Sequence, residues 1–177
     1  MSDPVYSCES LAALPIHASA VQANGGALLF LGPPETGKST VRRMLEAHLP
    51  ELADDVVYLV PRPGEGWGVA PAAPQAFLGP LPAAEAGRLS TVPLQAVLRL
   101  QRATQAHLER IPALQTCRYL ADAFFEVYWP RYCDVPAKKL AFARLARIAR
   151  AVAGYHLHFD LSARTVEVLM EALFPQG

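Results

Sequence analysis

The sequence predicts an α/β fold: a mixed β-sheet flanked by helices, with a largely helical C-terminal half. Three observations carry this. Two apolar runs, residues 15–22 and 26–32, flank the turn sequence Ala23-Asn24-Gly25-Gly26. The second run enters a glycine-bearing loop that opens a helix. From Leu94 onward, apolar residues recur at helical spacing.

The elements follow in order. "PIHASAVQ" and "GALLFLG" read as a hairpin, because Asn24, Gly25 and Gly26 accept positive φ. The second strand is apolar at nearly every position, as in a strand buried on both faces. A helix from Lys38 to about His48 follows, and Pro50 stops it. A short return strand, about Glu51–Ala53, then delivers Asp54 and Asp55, and Val56–Val60 leaves in the opposite direction. "VVYLVPRPGEGWGVA" reads as strand, turn at Pro63-Gly64-Glu65-Gly66, strand. Seven of the 16 prolines fall between Pro61 and Pro93, a zone of hairpin and loops. Helical spacing marks Leu94 to about Arg110, Pro112 to about Trp129 and Pro136 to about Val152. "YHLHFD" alternates like a strand, and "SARTVEVLMEALF" closes the chain as a helix with Ser162 at its N-cap. The organisation is one domain over 1–177: a nucleotide-binding core at 1–60, the proline-rich hairpin and loops at 61–93, and a mainly helical remainder at 94–177.

Composition narrows the function. Hydrophobic residues make up 52% of the 177 residues and charged residues 18%, enough apolar surface for a substantial core. Lys plus Arg number 16 and Asp plus Glu number 16, so net charge does not point to nucleic acid. Cys8, Cys117 and Cys133 fit neither a disulfide framework nor a zinc motif and are expected to be free thiols. No apolar run reaches bilayer length, and no leader pattern opens the sequence. A cytoplasmic protein without a membrane partner is expected.

The chemistry concentrates in Gly32-Pro33-Pro34-Glu35-Thr36-Gly37-Lys38-Ser39, which fits G-x-x-x-x-G-K-[ST], with Thr40 following. A buried strand before it and a helix after it supply the right context, so the fold is read as P-loop-containing. Inward-turned backbone N–H groups make an anion nest, and the helix N-terminus adds a positive dipole end. Lys38 offers a charge to β- and γ-phosphates, and Ser39 offers a hydroxyl to Mg²⁺. Glu35 beside phosphates is unfavourable by Coulomb's law, so its side chain should point outward. Asp54 and Asp55 follow Lys38 by 16 and 17 positions. The helix carries the chain about 15 Å away, and the short strand returns about 10 Å of it. One acid can hold Mg²⁺ and the other can accept a proton from an attacking hydroxyl.

"IHASAVQANGGALLFLGPPETGKST", followed by "LADDVVYL", resembles the HPr kinase/phosphorylase superfamily, in particular its compact HPr-kinase-like members. The resemblance is specific over about His17 to Val60. It implies the P-loop fold shared with ATP-dependent phosphoenolpyruvate carboxykinase. It also implies ATP- and Mg²⁺-dependent phosphoryl transfer to a hydroxyl, such as a serine of a protein or peptide. Lys38 and loop residues Gly32–Thr40 would then grip ATP, and Ser39 and Asp55 would serve Mg²⁺. Asp54 would be the base, and His17 would sit near the phosphates. A nucleotide-binding regulatory or assembly module without catalysis, and a small-molecule kinase, are the alternatives. Arg62 and Arg88 are candidates to neutralise the transferred phosphoryl group.

Two further patterns stand out. His156, His158 and Asp160 share one strand face and could hold a transition metal, although the polar face of a half-buried strand is the stronger reading of them. "AKKLAFARLARIAR" is a basic amphipathic helix with Leu140, Leu145, Ile148 and Val152 in one stripe.

Overall fold

In the computed structural model, residues 11–62, 64, 66–72, 81–127 and 135–174 are described. Cys8, Cys133, Pro63, Glu65, Tyr128 and Trp129, on which some sequence expectations fall, lie outside them. The described residues form seven strands and five helices: β1 (Leu14–Ala23), β2 (Gly26–Leu31), α1 (Lys38–Leu45), β3 (Glu51–Pro61), β4 (Trp67–Pro71), α2 (Ala83–Ala86), β5 (Val92–Arg102), β6 (His107–Ile111), α3 (Ala113–Val127), α4 (Val135–Ala151), β7 (Ala153–Phe159) and α5 (Ala163–Leu173). They make one mixed sheet in the order β2-β1-β3-β4-β5-β7-β6. β2 also pairs in parallel with β5, so the first five strands close on themselves and β7 and β6 continue from β5.

The β1–β2 hairpin turns at Asn24 (φ 44°) and Gly25 (φ 80°), the paired positive φ values of the turn expected there. β2 is buried throughout. Ala27, Leu29 and Leu31 join the cluster under α3 and α4, while Leu28 and Phe30 join the one under α1 and α5. Both faces are covered, which is why the run is apolar at every step.

Two expected elements differ. Glu51–Val60 is not a short strand followed by a second one. It is the single strand β3, paired with β1 from Leu14↔Leu59 to Val21↔Glu51, so Asp54 and Asp55 stand within a strand. β1 supplies ten residues to pair against, and the continuous ladder leaves no reason to turn at the acids. Leu94–Arg110 is not a helix but β5 and β6. Leu94, Val97 and Leu98 satisfy helical spacing, yet Leu94, Ala96, Leu98 and Leu100 also alternate with Gln95, Arg99 and Gln101. Pairing with β2 and β7 settles that ambiguity in favour of strand. The described residues from 94 to 174 therefore hold three strands as well as three helices, in the order β5-β6-α3-α4-β7-α5.

β4, β7 and α5 fall on their expected segments, while the four-residue helix α2 lies in the zone expected to hold only a hairpin and loops. α3 and α4 cover Leu114–Val127 and Pro136–Ala151. Leu145 and Ile148 of α4 are buried, and Leu140 and Val152 pack partly against the same core. Ser162 caps α5, its Oγ accepting from the Arg164 N–H at 3.2 Å. The packing of α3 against β7 depends on a missing side chain. A Cβ on Gly154 would lie 1.9 Å from Thr116 Oγ1, and Thr116 is fully buried. Gly154→Ala is expected to cost about 1–3 kcal/mol by overpacking, read as a lower denaturation midpoint with unchanged m-value.

Candidate functional site

The loop between β2 and α1 is shaped by its own side chains. Thr36 Oγ1 donates to the Pro33 carbonyl at 2.6 Å, and the Thr36 N–H donates to the same oxygen at 3.2 Å. Glu35 (φ 64°) and Gly37 (φ 107°) both adopt left-handed conformations. A Cβ at Gly37 would also sit 3.0 Å from Phe159 Cζ, so glycine is required there by backbone and by space. Glu35 is exposed. Left-handed residues in such a turn direct successive N–H groups to one side, at the start of an eight-residue helix. This end of the molecule can accept an anion.

Lys38, the first residue of α1, folds over the loop. Its Nζ donates to the carbonyls of Gly32 (2.8 Å) and Pro33 (3.3 Å). Burial pulls its ammonium below the ordinary value, while Glu126, Asp55 and Asp54 push the other way. An arriving anion would find this charge already positioned.

Asp54 is held by three side chains. The β1–β3 register sets Ser19 directly opposite it. Ser19 Oγ and Ser39 Oγ donate to Asp54 Oδ1 at 3.0 and 2.9 Å, and Arg42 Nη2 donates to Oδ2 at 3.2 Å. Arg42, 7% exposed at its side chain, is held in turn by Glu46 (2.8 Å) and Glu51. Burial opposes the Asp54 charge, but the bonds from Ser39, Ser19 and Arg42 outweigh it and hold the carboxyl below its ordinary value of 3.8. A depressed folded-state value means the carboxylate contributes stability above the unfolded value and loses it as pH falls through the folded one. Acid unfolding below about pH 4 should therefore be steeper in the wild type than in Asp54→Asn, a comparison made by denaturant midpoints across pH.

Asp55 differs in every respect. Its side chain is 81% exposed, and His17 Nε2 approaches Oδ1 at 3.5 Å. The same imidazole donates from Nδ1 to Glu126 Oε2 of α3 at 2.6 Å. His17 thus lies between two carboxylates from different elements. His17, Ser19, Pro34, Glu35, Gly37, Lys38, Ser39, Thr40, Asp54, Asp55 and Arg102 line one open cavity of about 370 Å³.

The structure therefore gathers His17, Lys38, Ser39, Asp54 and Asp55 around the glycine loop. Ser19, Arg42, Glu126 and Arg102 join them without having been legible as site residues. Only their registers and helix positions bring them there, and none sits in a motif. The two arginines proposed from sequence are elsewhere. Arg62 lines a separate cavity with Leu89 and Arg144, and Arg88 follows α2. β3 is a continuous extended strand, so Arg62 is about 25 Å along it from Asp54. Arg102, at the end of β5, is the arginine of the cavity wall.

The profile of the SynChlorMet cassette protein ScmC family matches residues 2–174. The chain belongs to the ScmC family. No curated protein matches it. Among solved structures, this ScmC-family chain is similar to the Hpr(Ser) kinase/phosphatase from Coxiella burnetii at 11% identity and a TM-score of 0.42, over 90% of this chain and 87% of that one.

Proposed function

We propose that the chain binds ATP with Mg²⁺ at the β2–α1 loop and transfers the terminal phosphoryl group to a hydroxyl, a serine of a protein or peptide being the acceptor class. The observation that carries this is the Ser39–Asp54 hydrogen bond at the N-terminus of α1, beside Lys38 and in the same cavity as the free Asp55. The motif resemblance over residues 17–60 supports the same reading.

The donor set fits the ligands. Ser39 Oγ and Asp54 offer adjacent hard oxygens, which suit Mg²⁺. When bound, that ion would neutralise charge on phosphate oxygens. We assign it to Ser39 and Asp54 rather than to Asp55, because Asp54 already shares a hydrogen bond with Ser39 and stays ionised. Arg42 holds Asp54 in place. The loop amides and Lys38 hold the phosphates. Asp55 is then the base: it takes the proton of the acceptor hydroxyl as that oxygen bonds to phosphorus and the bond to the leaving diphosphate breaks. His17, fixed by Glu126, orients Asp55. Arg102 faces the transferred group and neutralises its charge.

The test uses the full chain with ATP, Mg²⁺ and serine-bearing peptides. The expected result is ADP formation that depends on peptide and metal, with phosphoserine in the product. ATP binding without any turnover across a broad peptide library would instead support the regulatory-module reading.

A further inference from the structure

On the far side of β5 from β2, β7 and β6 build a second cluster. His156 and His158 share one face of β7, and the antiparallel register sets Glu109 opposite His156 and His107 opposite His158. Glu109 Oε2 lies 3.4 Å from His156 Nδ1 and 3.6 Å from His158 Nε2, and the three candidate ligand atoms fall within 4.8 Å of one another. Ligand atoms about 2.1 Å from a tetrahedral ion stand about 3.4 Å apart, and both separations from Glu109 Oε2 are close to that spacing.

Independent details agree. His158 Nε2 is buried without a hydrogen-bond partner among the described residues, and it is aimed at Glu109. The outer nitrogen of His156, Nε2, meets Tyr119 Oη at 3.0 Å. A bond there holds the ring in orientation, as outer-shell partners of metal-bound histidines do. His107 stacks on His158 at 4.0 Å between centroids and 5° between planes, holding that ring in orientation. Asp160, the third ligand expected from sequence, is not part of the cluster. It accepts from Ser162 Oγ (2.6 Å) and Thr165 Oγ1 (3.1 Å) at the start of α5.

We propose that Glu109, His156 and His158 form a binding site for a divalent transition metal ion such as Zn²⁺. Two imidazoles and one carboxylate suit ions of borderline softness better than Mg²⁺. Glu109 is exposed on the edge strand, so coordination positions remain open to water or an incoming ligand. Tyr119 links the site to Arg99, whose guanidinium stacks 4.7 Å over its ring. The inference is independent of the proposed phosphoryl transfer.

The experiment titrates the chelator-stripped full chain with Co²⁺, reading ligand-field absorption, and then displaces it with Zn²⁺. One equivalent of Co²⁺ is expected to bind, with Zn²⁺ displacing it. Glu109→Gln and His158→Ala are expected to weaken binding by more than about 100-fold, and Tyr119→Phe by about 10-fold. Binding should also fall on acidification as protons compete for the imidazoles. His48→Ala, remote on the chain, should change nothing. Glu109→Gln preserves shape, so an unchanged melting curve excludes misfolding as the cause. Failure to saturate at one equivalent, or affinity that survives Glu109→Gln and His158→Ala, overturns the site.

Discussion

Asp55→Asn is expected to slow phosphoryl transfer by about 10²–10⁴-fold, the usual contribution of a positioned general base, while nucleotide affinity stays at the wild-type value. The asymmetry of the acid pair is the reason. Asp54 is held by Ser19, Ser39 and Arg42, while Asp55 is left open beside His17. A carboxylate that already accepts three hydrogen bonds is a poor proton acceptor, and one that is 81% exposed at the cavity is free to act. Asn at position 55 keeps the shape and removes the basic oxygen. Asp54→Asn should behave differently. It should raise the Mg²⁺ concentration needed for tight ATP binding, because the lost charge is the one beside Ser39. Rapid-mix transfer assays and ATP titrations over a range of Mg²⁺ separate the two variants. If Asp55→Asn turns over normally and Asp54→Asn loses transfer with metal dependence intact, the roles are the reverse of those proposed.

Lys38→Ala is expected to weaken ATP binding by about 10–100-fold, since a hydrogen bond to a charged group is worth about 1.5–3 kcal/mol and about 1.4 kcal/mol is a factor of ten. Without ligand, Lys38 satisfies two loop carbonyls and carries a burial penalty on its charge. An anion removes that penalty, so the lysine acts mainly on the bound state. Lys38→Met, which keeps most of the chain length, should show the same loss and exclude collapse of the loop as its cause. The check is calorimetric titration of ATP with Mg²⁺, paired with melting curves showing that the nucleotide-induced rise in Tm disappears. Wild-type affinity in Lys38→Met would remove the loop from nucleotide binding.

The strands and helices with one dominant local pattern were legible from residue order. β1 and β2 declare themselves through Asn24 and Gly25, α5 through Ser162, and the glycine loop through the spacing of Gly32, Gly37, Lys38 and Ser39. These features rest on backbone conformations that few residue types permit, so composition at a handful of positions suffices. β5 was not legible, because its apolar residues satisfy two periods and only the strands on either side choose between them. Of the site, the sequence alone determined the loop, its lysine and serine, His17 and the acid pair. The tertiary structure decided the different company of the two acids, the place of Arg102 rather than Arg62 or Arg88 in the cavity wall, and the meeting of Glu109 with His156 and His158. Asp54 meets Ser19 across 35 positions and Glu109 meets His156 across 47, and strand register sets both pairs. Register depends on which strand lies beside which, a property of the closed sheet that no local stretch of chain contains.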